Sequence, residues 1–152
     1  MNLISLLLAI FMIALSFFGC GEADALCVKA EKANMRVGPG TDYPKGWMVQ
    51  KYFPLKKVGV SLSGDWYAVE DIDGDVFWIH KSLVADGYRC AAVKSGRANV
   101  RTGPGTGYRK QFSEPAEKYD SFKVLGRKGS WIKVKDANNN SGWIHQDCAR
   151  VW

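Results

Sequence analysis

The chain has 152 residues, and its 21 Lys and Arg outnumber 15 Asp and Glu, which gives a formal net charge of +6 at pH 7. A positive excess of this size favours attraction to anionic surfaces and does not indicate a fold. The histidines and cysteines show neither a Cys-x-x-Cys nor a His-x-x-x-His spacing, which excludes the common zinc-binding patterns.

Residues 1–25 are predicted to be an export signal. Residues 3–18 are almost wholly apolar, and the Ala-Asp-Ala sequence at 23–25 is a pattern that favours cleavage before Leu26. Two alternatives stay open. One is lipidation at Cys20, because residues 17–20 loosely resemble a lipoprotein cleavage box, and the other is an uncleaved membrane anchor. The protein is therefore expected to be exported to the periplasm or cell envelope, and to lie at a membrane only under one of these alternatives.

The rest of the chain contains one small domain twice, at an offset of 65 residues. ANMRVGPGTDY at 33–43 returns as ANVRTGPGTGY at 98–108, and later Gly-x-Trp and Trp-Ile-His sequences return at the same offset. Such self-similarity indicates duplicated structural units, which we predict over residues 26–86 and 90–152. Units of this size are marginally stable alone, so an additional constraint such as a disulfide is expected.

Both units have an all-β pattern. Short runs rich in β-branched and aromatic residues lie between turn formers, at 58–62, 66–69 and 76–80 and again at 122–125, 131–134 and 142–145. Residues 71–75 and 136–140 predict tight hairpins that need a positive φ. About five short strands in so few residues protect their edges by closing into a small barrel.

A sharp turn is predicted after the first Asn-x-Arg segment of each unit. Proline fixes one φ of the Gly-Pro-Gly sequence and its glycines supply torsions that other residues avoid, while the Lys and the helix of a phosphate-binding loop are missing. Arg36 and Arg101 are expected to hold the turns through hydrogen bonds to backbone carbonyls or a carboxylate. The structural motif is Asn34, Arg36, Gly38, Pro39 and Gly40 in the first unit and Asn99, Arg101, Gly103, Pro104 and Gly105 in the second.

The order Ala-Asn-x-Arg-x-Gly-Pro-Gly-Thr-x-Tyr, then Gly-x-Trp, then Trp-Ile-His resembles the bacterial SH3 domain twice, over nearly all of residues 27–152. The resemblance implies an all-β fold of two tandem small SH3-like β-barrels after the signal. It also implies a non-catalytic targeting or binding module, with peptidoglycan or its peptides as ligands. Residues 111–119 (QFSEPAEKY) depart from the pattern, which predicts irregular loops in the second unit.

Aromatic side chains are the candidate ligand contacts. Tyr43 and Tyr108 follow the turns and are expected on loops, where they would either contact a sugar or extended peptide or pack the two units together. The indoles of Trp66 and Trp131 are further candidates. Large aromatics can also fill a small barrel, so at least half of the strand tryptophans are expected in the core: Trp66, Trp78, Trp131 and Trp143.

No catalytic site, metal or cofactor is expected. The carboxylates of Asp71, Asp73 and Asp75 lack the glycine and glutamate positions of a calcium-binding EF-hand loop, so we interpret them as a hairpin turn. His80 and His145 occupy the same position in each unit, which is typical of a structural role. A Cys-His nucleophile would instead be a single asymmetric arrangement.

Export would bring three cysteines to an oxidising compartment. Cys148 lies 65 residues after Leu83, at an apolar position that suits a small buried thiol. Cys27 and Cys90 instead both open their units. Of the three possible pairings, we therefore predict a Cys27–Cys90 disulfide with Cys148 reduced.

The excess of positive charge lies in the second unit. Residues 90–152 carry 12 Lys and Arg against 5 Asp and Glu, whereas residues 26–89 carry 9 against 8. We expect anionic envelope material to bind mainly to the second unit, with an affinity that falls as salt rises. The expected partner is a cell-wall polymer such as peptidoglycan, and the alternative is a structural or adaptor role toward another envelope protein, by strand addition for example. A nucleic-acid partner is not expected.

Overall fold

The computed structural model describes residues 24–152, which form an all-β protein of two domains. The predicted export signal lies outside the described residues, apart from its last two. Domain 1 is a seven-stranded antiparallel sheet in the order β3-β2-β6-β5-β4-β1-β7. Its strands are β1 (Asp24–Val28), β2 (Lys32–Arg36), β3 (Lys45–Gln50), β4 (Pro54–Val60), β5 (Trp66–Glu70), β6 (Val76–His80) and β7 (Val84–Ala85).

Domain 2 repeats this plan with a shorter first hairpin. A five-stranded sheet in the order β13-β12-β11-β8-β14 is accompanied by the pair β10-β9. The strands are β8 (Cys90–Val93), β9 (Arg97–Ala98), β10 (Ala116–Glu117), β11 (Ser121–Lys128), β12 (Trp131–Lys135), β13 (Ser141–His145) and β14 (Ala149–Val151). A 3-10 turn precedes the last strand of each domain, at Lys81–Leu83 and at Gln146–Cys148.

Most predicted strands are confirmed, but the first of them is misplaced. The run 58–62 was predicted as a strand, whereas β4 begins at Pro54 and ends at Val60. The buried residues of β4 are Pro54 and Leu55, while Val60 is half exposed and Leu62 lies fully in solvent within the following turn. The apolar residues that suggested a strand at 58–62 therefore belong to its exposed end.

The equivalent strand of domain 2 is shifted by two residues relative to the sequence repeat. Lys56 of β4 pairs with Glu70, and Lys123 of β11 pairs with Lys135, so β5 and β12 keep the 65-residue offset while β4 and β11 differ by 67. The irregular segment 111–119 is longer by two residues, and the turn between β11 and β12 is correspondingly shorter. The prediction of irregular loops in the second unit is confirmed.

The two predicted hairpin turns are confirmed, and each is organised by one aspartate. Oδ1 of Asp71 accepts hydrogen bonds from the backbone N–H groups of Asp73 and Asp75, both at 3.0 Å. Asp136 accepts the same two bonds in domain 2, at 2.9 and 2.8 Å. The residues at positive φ are Gly74 at 94° and Asn139 at 68°, residue types that tolerate this conformation.

Aliphatic side chains together with Met35, Phe53 and Phe122 form the two cores. The expectation that at least half of the four strand tryptophans lie in the core is wrong. All four are only half buried. Alternation along a strand explains their position: Val69 and Ile79 point inward in β5 and β6, so their neighbours in the strands point outward. The outward-facing set is Trp66, Trp78, Trp131 and Trp143.

A disulfide joins the two domains. Cys27 at the end of β1 is bonded to Cys90 at the start of β8, with their Cα atoms 5.7 Å apart, which confirms the predicted pairing. Cys148 is a free thiol that packs against the core of domain 2. The pairing ties the first strand of one domain to the first strand of the other.

Side chains from domain 2 complete the packing of domain 1. Ala92 belongs to the core cluster of domain 1, and Trp152 packs against the same cluster. On the other side of the junction, the Tyr119 ring lies 4.8 Å from that of Trp47 and its hydroxyl donates to Oδ2 of Asp73 at 2.7 Å. Nζ of Lys118 lies 3.0 Å from Oδ1 of the same carboxylate, and these two partners lower the pKa of Asp73. The irregular segment 111–119 thus supplies part of the interface.

The first strand starts before the predicted cleavage point. Asp24 and Ala25 pair with Lys57 and Lys56 of β4, and the Asp24 carboxylate lies 2.7 Å from Nζ of Lys57. Cleavage before Leu26 would remove these two residues from the strand. Within residues 24–152, no helix is long and apolar enough to cross a membrane.

We predict that removing the interdomain disulfide destabilises the whole chain. The bond closes a separation of 63 residues, for which loop entropy corresponds to roughly 4 kcal/mol at most. The double variant Cys27→Ala/Cys90→Ala should lose about 2–4 kcal/mol of unfolding free energy in chemical denaturation. Cys148→Ala is the matched control and should lose less. A Cys90–Cys148 bond in peptide mapping would contradict the assignment.

A second prediction concerns the buried carboxylate of Asp71, whose pKa is raised chiefly by burial. A raised pKa means that the folded state binds this proton more tightly, so its contribution to stability falls as pH rises above the ordinary value. Asp71→Asn keeps the acceptor for both N–H groups and removes the charge. Relative to the unmodified protein, the variant should therefore gain stability between pH 4 and pH 7.

Chemical denaturation at the two pH values measures this gain. Asp136→Asn makes the same substitution in the equivalent turn, where the carboxylate is more exposed, and reports what the change does to the turn itself. An Asp71→Asn variant that is destabilised equally at both pH values would show that the charge is not the cause.

Candidate functional site

The repeated motifs of domain 1 meet at a surface groove of about 360 Å³, which we call the domain 1 groove. The Asn-x-Arg strand β2 forms one side, the residue after the Gly-Pro-Gly turn closes one end, and a tryptophan–histidine pair forms the other side. The groove is lined by Lys32, Ala33, Asn34, Arg36, Thr41, Trp66, His80, Ser82 and Leu83.

The Trp66–His80 pair results from strand pairing. The two residues are direct partners in the antiparallel β5–β6 ladder, so their side chains emerge side by side on the outer face. Their rings meet edge to face with centroids 5.3 Å apart. The indole is half buried by this contact and keeps the rest of its surface open to the groove.

Each histidine also holds the 3-10 turn that follows it. Nδ1 of His80 accepts a hydrogen bond from the backbone N–H of Ser82 at 3.3 Å, and Nδ1 of His145 accepts one from Asp147 at 3.3 Å. This is a cap of the kind that Asn or Ser provides at helix starts. This capping role was not predicted from the sequence, although a histidine two residues before a Ser or Asp at a strand end was the available signal.

The motif arginines stabilise the turns through hydrogen bonds to backbone carbonyls. Nη1 of Arg36 donates to the carbonyl oxygens of Thr41 and Tyr43, at 2.9 and 2.7 Å. Nη1 of Arg101 donates to the carbonyl of Tyr108 at 2.8 Å. One planar guanidinium thereby connects β2 to the end of the turn, which fixes the end of the groove.

Tyr43 and Tyr108 pack on their own turns. A Cβ atom added at Gly38 would collide with the Tyr43 ring, and one added at Gly103 would collide with that of Tyr108. Glycine is therefore required for close ring contact at these positions. The tyrosines remain 47% and 50% exposed, and neither lines the domain 1 groove. Trp66 lines it, so the structure brings only part of the predicted ligand set together.

Domain 2 presents the same elements with different neighbours. Trp131 and His145 are partners in the β12–β13 ladder and their rings lie 5.2 Å apart. Asp147 takes the place of Ser82 and lies 3.5 Å from Nδ1 of His145. The two domains therefore share the arrangement of the Trp–His pair but differ in the polarity of the residue two positions after the histidine.

The groove is lined by aromatic and polar side chains. It presents an indole, an imidazole, an amide and hydroxyl groups, which suit stacking and hydrogen bonding to a sugar or peptide. Across residues 24–152, no group of three or more His, Cys, Asp or Glu is positioned to hold a metal ion. Nδ1 of each histidine is occupied by its cap.

Each of the two domains matches a protein-family model with the same description. A family model described as "Bacterial SH3 domain" matches residues 29–86, and a second model with that description matches residues 96–149. Together these matches cover most of the chain. Among curated proteins, the probable cell wall amidase LytH of Staphylococcus aureus is 44% identical over 48 residues. Those residues are 31% of this chain and only 16% of the amidase.

Solved structures overlap with the chain at low sequence identity. NlpC2 from Trichomonas vaginalis overlaps 83% of this chain and 47% of its own, with 10% identity and a TM-score of 0.35. An NlpC/P60 endopeptidase from Photobacterium damselae subsp. piscicida overlaps 90% and 35%, with 16% identity and a TM-score of 0.36. The endolysin LysPBC5 CBD overlaps 84% and 92%, with 14% identity and a TM-score of 0.33. At these TM-scores the overlaps carry no argument about ligand or activity.

We predict that Arg101→Lys lowers the stability of the protein, because lysine keeps the charge but loses the planar fork that reaches the turn carbonyl. The loss should be about 1 kcal/mol, the size of one hydrogen bond, as measured by chemical denaturation. Arg36→Lys removes two such bonds and should cost more. Arg109→Lys changes an exposed arginine nearby and is the control. Unchanged stability with weakened ligand binding would instead assign Arg101 to the ligand.

Proposed function

Because this chain belongs to the bacterial SH3 domain family and contains two such domains in tandem, we propose that it is a non-catalytic binding protein of the cell envelope. Its ligand is peptidoglycan or a peptide of the cell wall. The observation that carries the proposal is the groove beside Trp66 and His80, whose defining pair returns in domain 2. The described similarity to part of a probable cell wall amidase supports a wall-associated role.

The chemistry of the groove supports a neutral or mildly polar ligand. Trp66 provides an apolar face for a sugar ring or an aliphatic side chain, while Asn34 and Thr41 provide groups that pair with hydroxyls or amides. Arg36 uses its guanidinium on the turn carbonyls and therefore acts as support for the groove. Such a site binds without altering its ligand.

The presence of two linked domains supports a polymeric ligand made of repeating units. The disulfide and the Trp47–Tyr119 contact join the domains, so one linked molecule carries both Trp–His pairs. A polymer that offers many copies of one unit can occupy both sites at once. The second contact is then intramolecular, which raises the overall affinity without a new type of interaction.

A second candidate function is an adaptor that binds another envelope protein. It is favoured by β3, which lies at one edge of the domain 1 sheet and has an exposed Met48. An extended segment of a partner can add to such an edge through backbone hydrogen bonds. This mode uses the opposite side of β3 from its pairing with β2 and leaves the groove empty.

The proposed function predicts that purified, protein-free sacculi retain the exported protein and that the tryptophans of the two pairs are responsible. Trp66→Ala and Trp131→Ala should each weaken binding about tenfold, as expected for a central aromatic contact, and the double variant should lose nearly all of it. Cosedimentation with sacculi measures the affinity.

Trp78→Ala is the matched control, since Trp78 is an outward, half-buried tryptophan of β6 that does not line the groove. Its effect on sacculus binding should be small when thermal unfolding shows that each variant is folded. Retention only by sacculi that still carry their proteins would favour the adaptor role. Full binding by the double variant would contradict the groove as the site.

A further inference from the structure

We propose that domain 2 contains an oxyanion-binding pocket, separate from the groove and formed by Lys94, Arg127 and Arg150. The pocket has a volume of about 210 Å³ and opens beside the junction of β8, β11 and β14. Its ligand is a phosphate or carboxylate group. The remaining lining consists of Ile132, Gln146, Ala149 and Val151.

Three separate elements bring the cations together. Lys94 directly follows β8, and its backbone N–H donates to the carbonyl of Cys148 at 3.0 Å, just before β14. Arg150 lies within β14, which pairs with β8. Arg127 is the second-last residue of β11 and pairs with Ile132 of β12. Two of the three cations, Arg127 and Arg150, are therefore held on strands of the domain 2 sheet, and Lys94 directly follows a third strand.

Neighbouring side chains orient the two guanidinium groups. Nη1 of Arg127 donates to Oε1 of Gln146 at 3.0 Å, which anchors one edge of the group and leaves its other donors available. The guanidinium carbon of Arg150 lies 5.9 Å from the centre of the Trp152 ring. Arginine presents its donors as a rigid fork that matches the two oxygens of a phosphate or carboxylate, so an oriented pair favours this ligand class.

None of the residues that line the pocket is acidic. The carboxylate next to it in sequence is Asp147, which follows Gln146 and lies 3.5 Å from Nδ1 of His145. Elsewhere in the structure, lysines are paired with acids, as in the Lys51–Glu31 and Lys81–Asp65 contacts. Three uncompensated cations around one cavity provide a favourable potential for an anion.

Domain 1 provides an internal comparison, because the same positions there do not form a cationic pocket. Lys29 corresponds to Lys94, but Val60 occupies the strand position of Arg127 and Ala85 that of Arg150. The counterpart of Gln146 is Lys81, which is paired with Asp65 at 2.8 Å. Thus part of the charge excess of domain 2 is concentrated at one place by differences on two strands, Arg127 on β11 and Arg150 on β14.

The pocket goes beyond the proposed function, since anion binding there requires neither the domain 1 groove nor a wall polymer. The test therefore uses small soluble probes. The full exported protein, labelled with ¹⁵N, is titrated with inorganic phosphate at constant ionic strength, with sodium chloride making up the balance. A parallel titration with acetate distinguishes phosphate from carboxylate as the favoured oxyanion.

We expect saturable chemical-shift changes at the amides of Lys94, Gln146 and Arg150. The double variant Arg127→Gln/Arg150→Gln should weaken phosphate binding about tenfold or more, because both forks are lost. Lys110→Gln/Lys133→Gln removes the same charge from exposed sites of domain 2 outside the pocket and should change the affinity less than about twofold.

Two results would overturn the proposal. One is a set of small, unsaturable shifts spread over all basic residues, reduced equally by both double variants, which would mean diffuse attraction to a charged surface. The other is the absence of shifts at the pocket amides with either anion. Sacculus binding that fails while phosphate still saturates the pocket would contradict the proposed function alone, so the two failures are distinguishable.

Discussion

The alternation of side chains along β5 and β6 is the constraint on which the rest of this structure depends. One set of residues, represented by Val69 and Ile79, points inward and forms part of the core. The other set, including Trp66 and His80, must point outward, where ladder pairing brings the rings together. The core and the groove are thus two faces of the same strands, and a one-residue register change would exchange them.

The sequence was sufficient to predict the duplication, the fold class, the hairpins and the disulfide, because each depends on local patterns or on fixed spacing. It did not predict that Trp66 and its three counterparts face outward, since hydrophobicity alone does not tell which face of a strand is buried. The two-residue shift of β11 was also hidden, because a longer segment before the strand and a shorter turn after it cancel in the alignment. The capping role of His80 depends on a backbone geometry that composition does not reveal.

Duplication let the two domains keep one architecture while they diverged at separate places. The segment 111–119 lacks the regular hairpin of domain 1 and makes contacts across the junction, with Tyr119 against Trp47 and Lys118 beside Asp73. The surface of domain 2 carries Arg127 and Arg150 where domain 1 has aliphatic residues. The arginine–turn contact and the Trp–His pair are present in both domains. They are therefore common features of the two barrels, whereas the segment 111–119 and the two arginines differ between the copies.

The packing of Ala92 and Trp152 against the core of domain 1 has a consequence for how the protein matures. The amino-terminal domain is synthesised first, and its core cluster stays incomplete until Ala92 and Trp152 are available to pack against it. Complete packing of the domain 1 core therefore depends on residues from the second domain. A rearrangement that joined either half to another protein would separate Trp152 from the cluster that it covers.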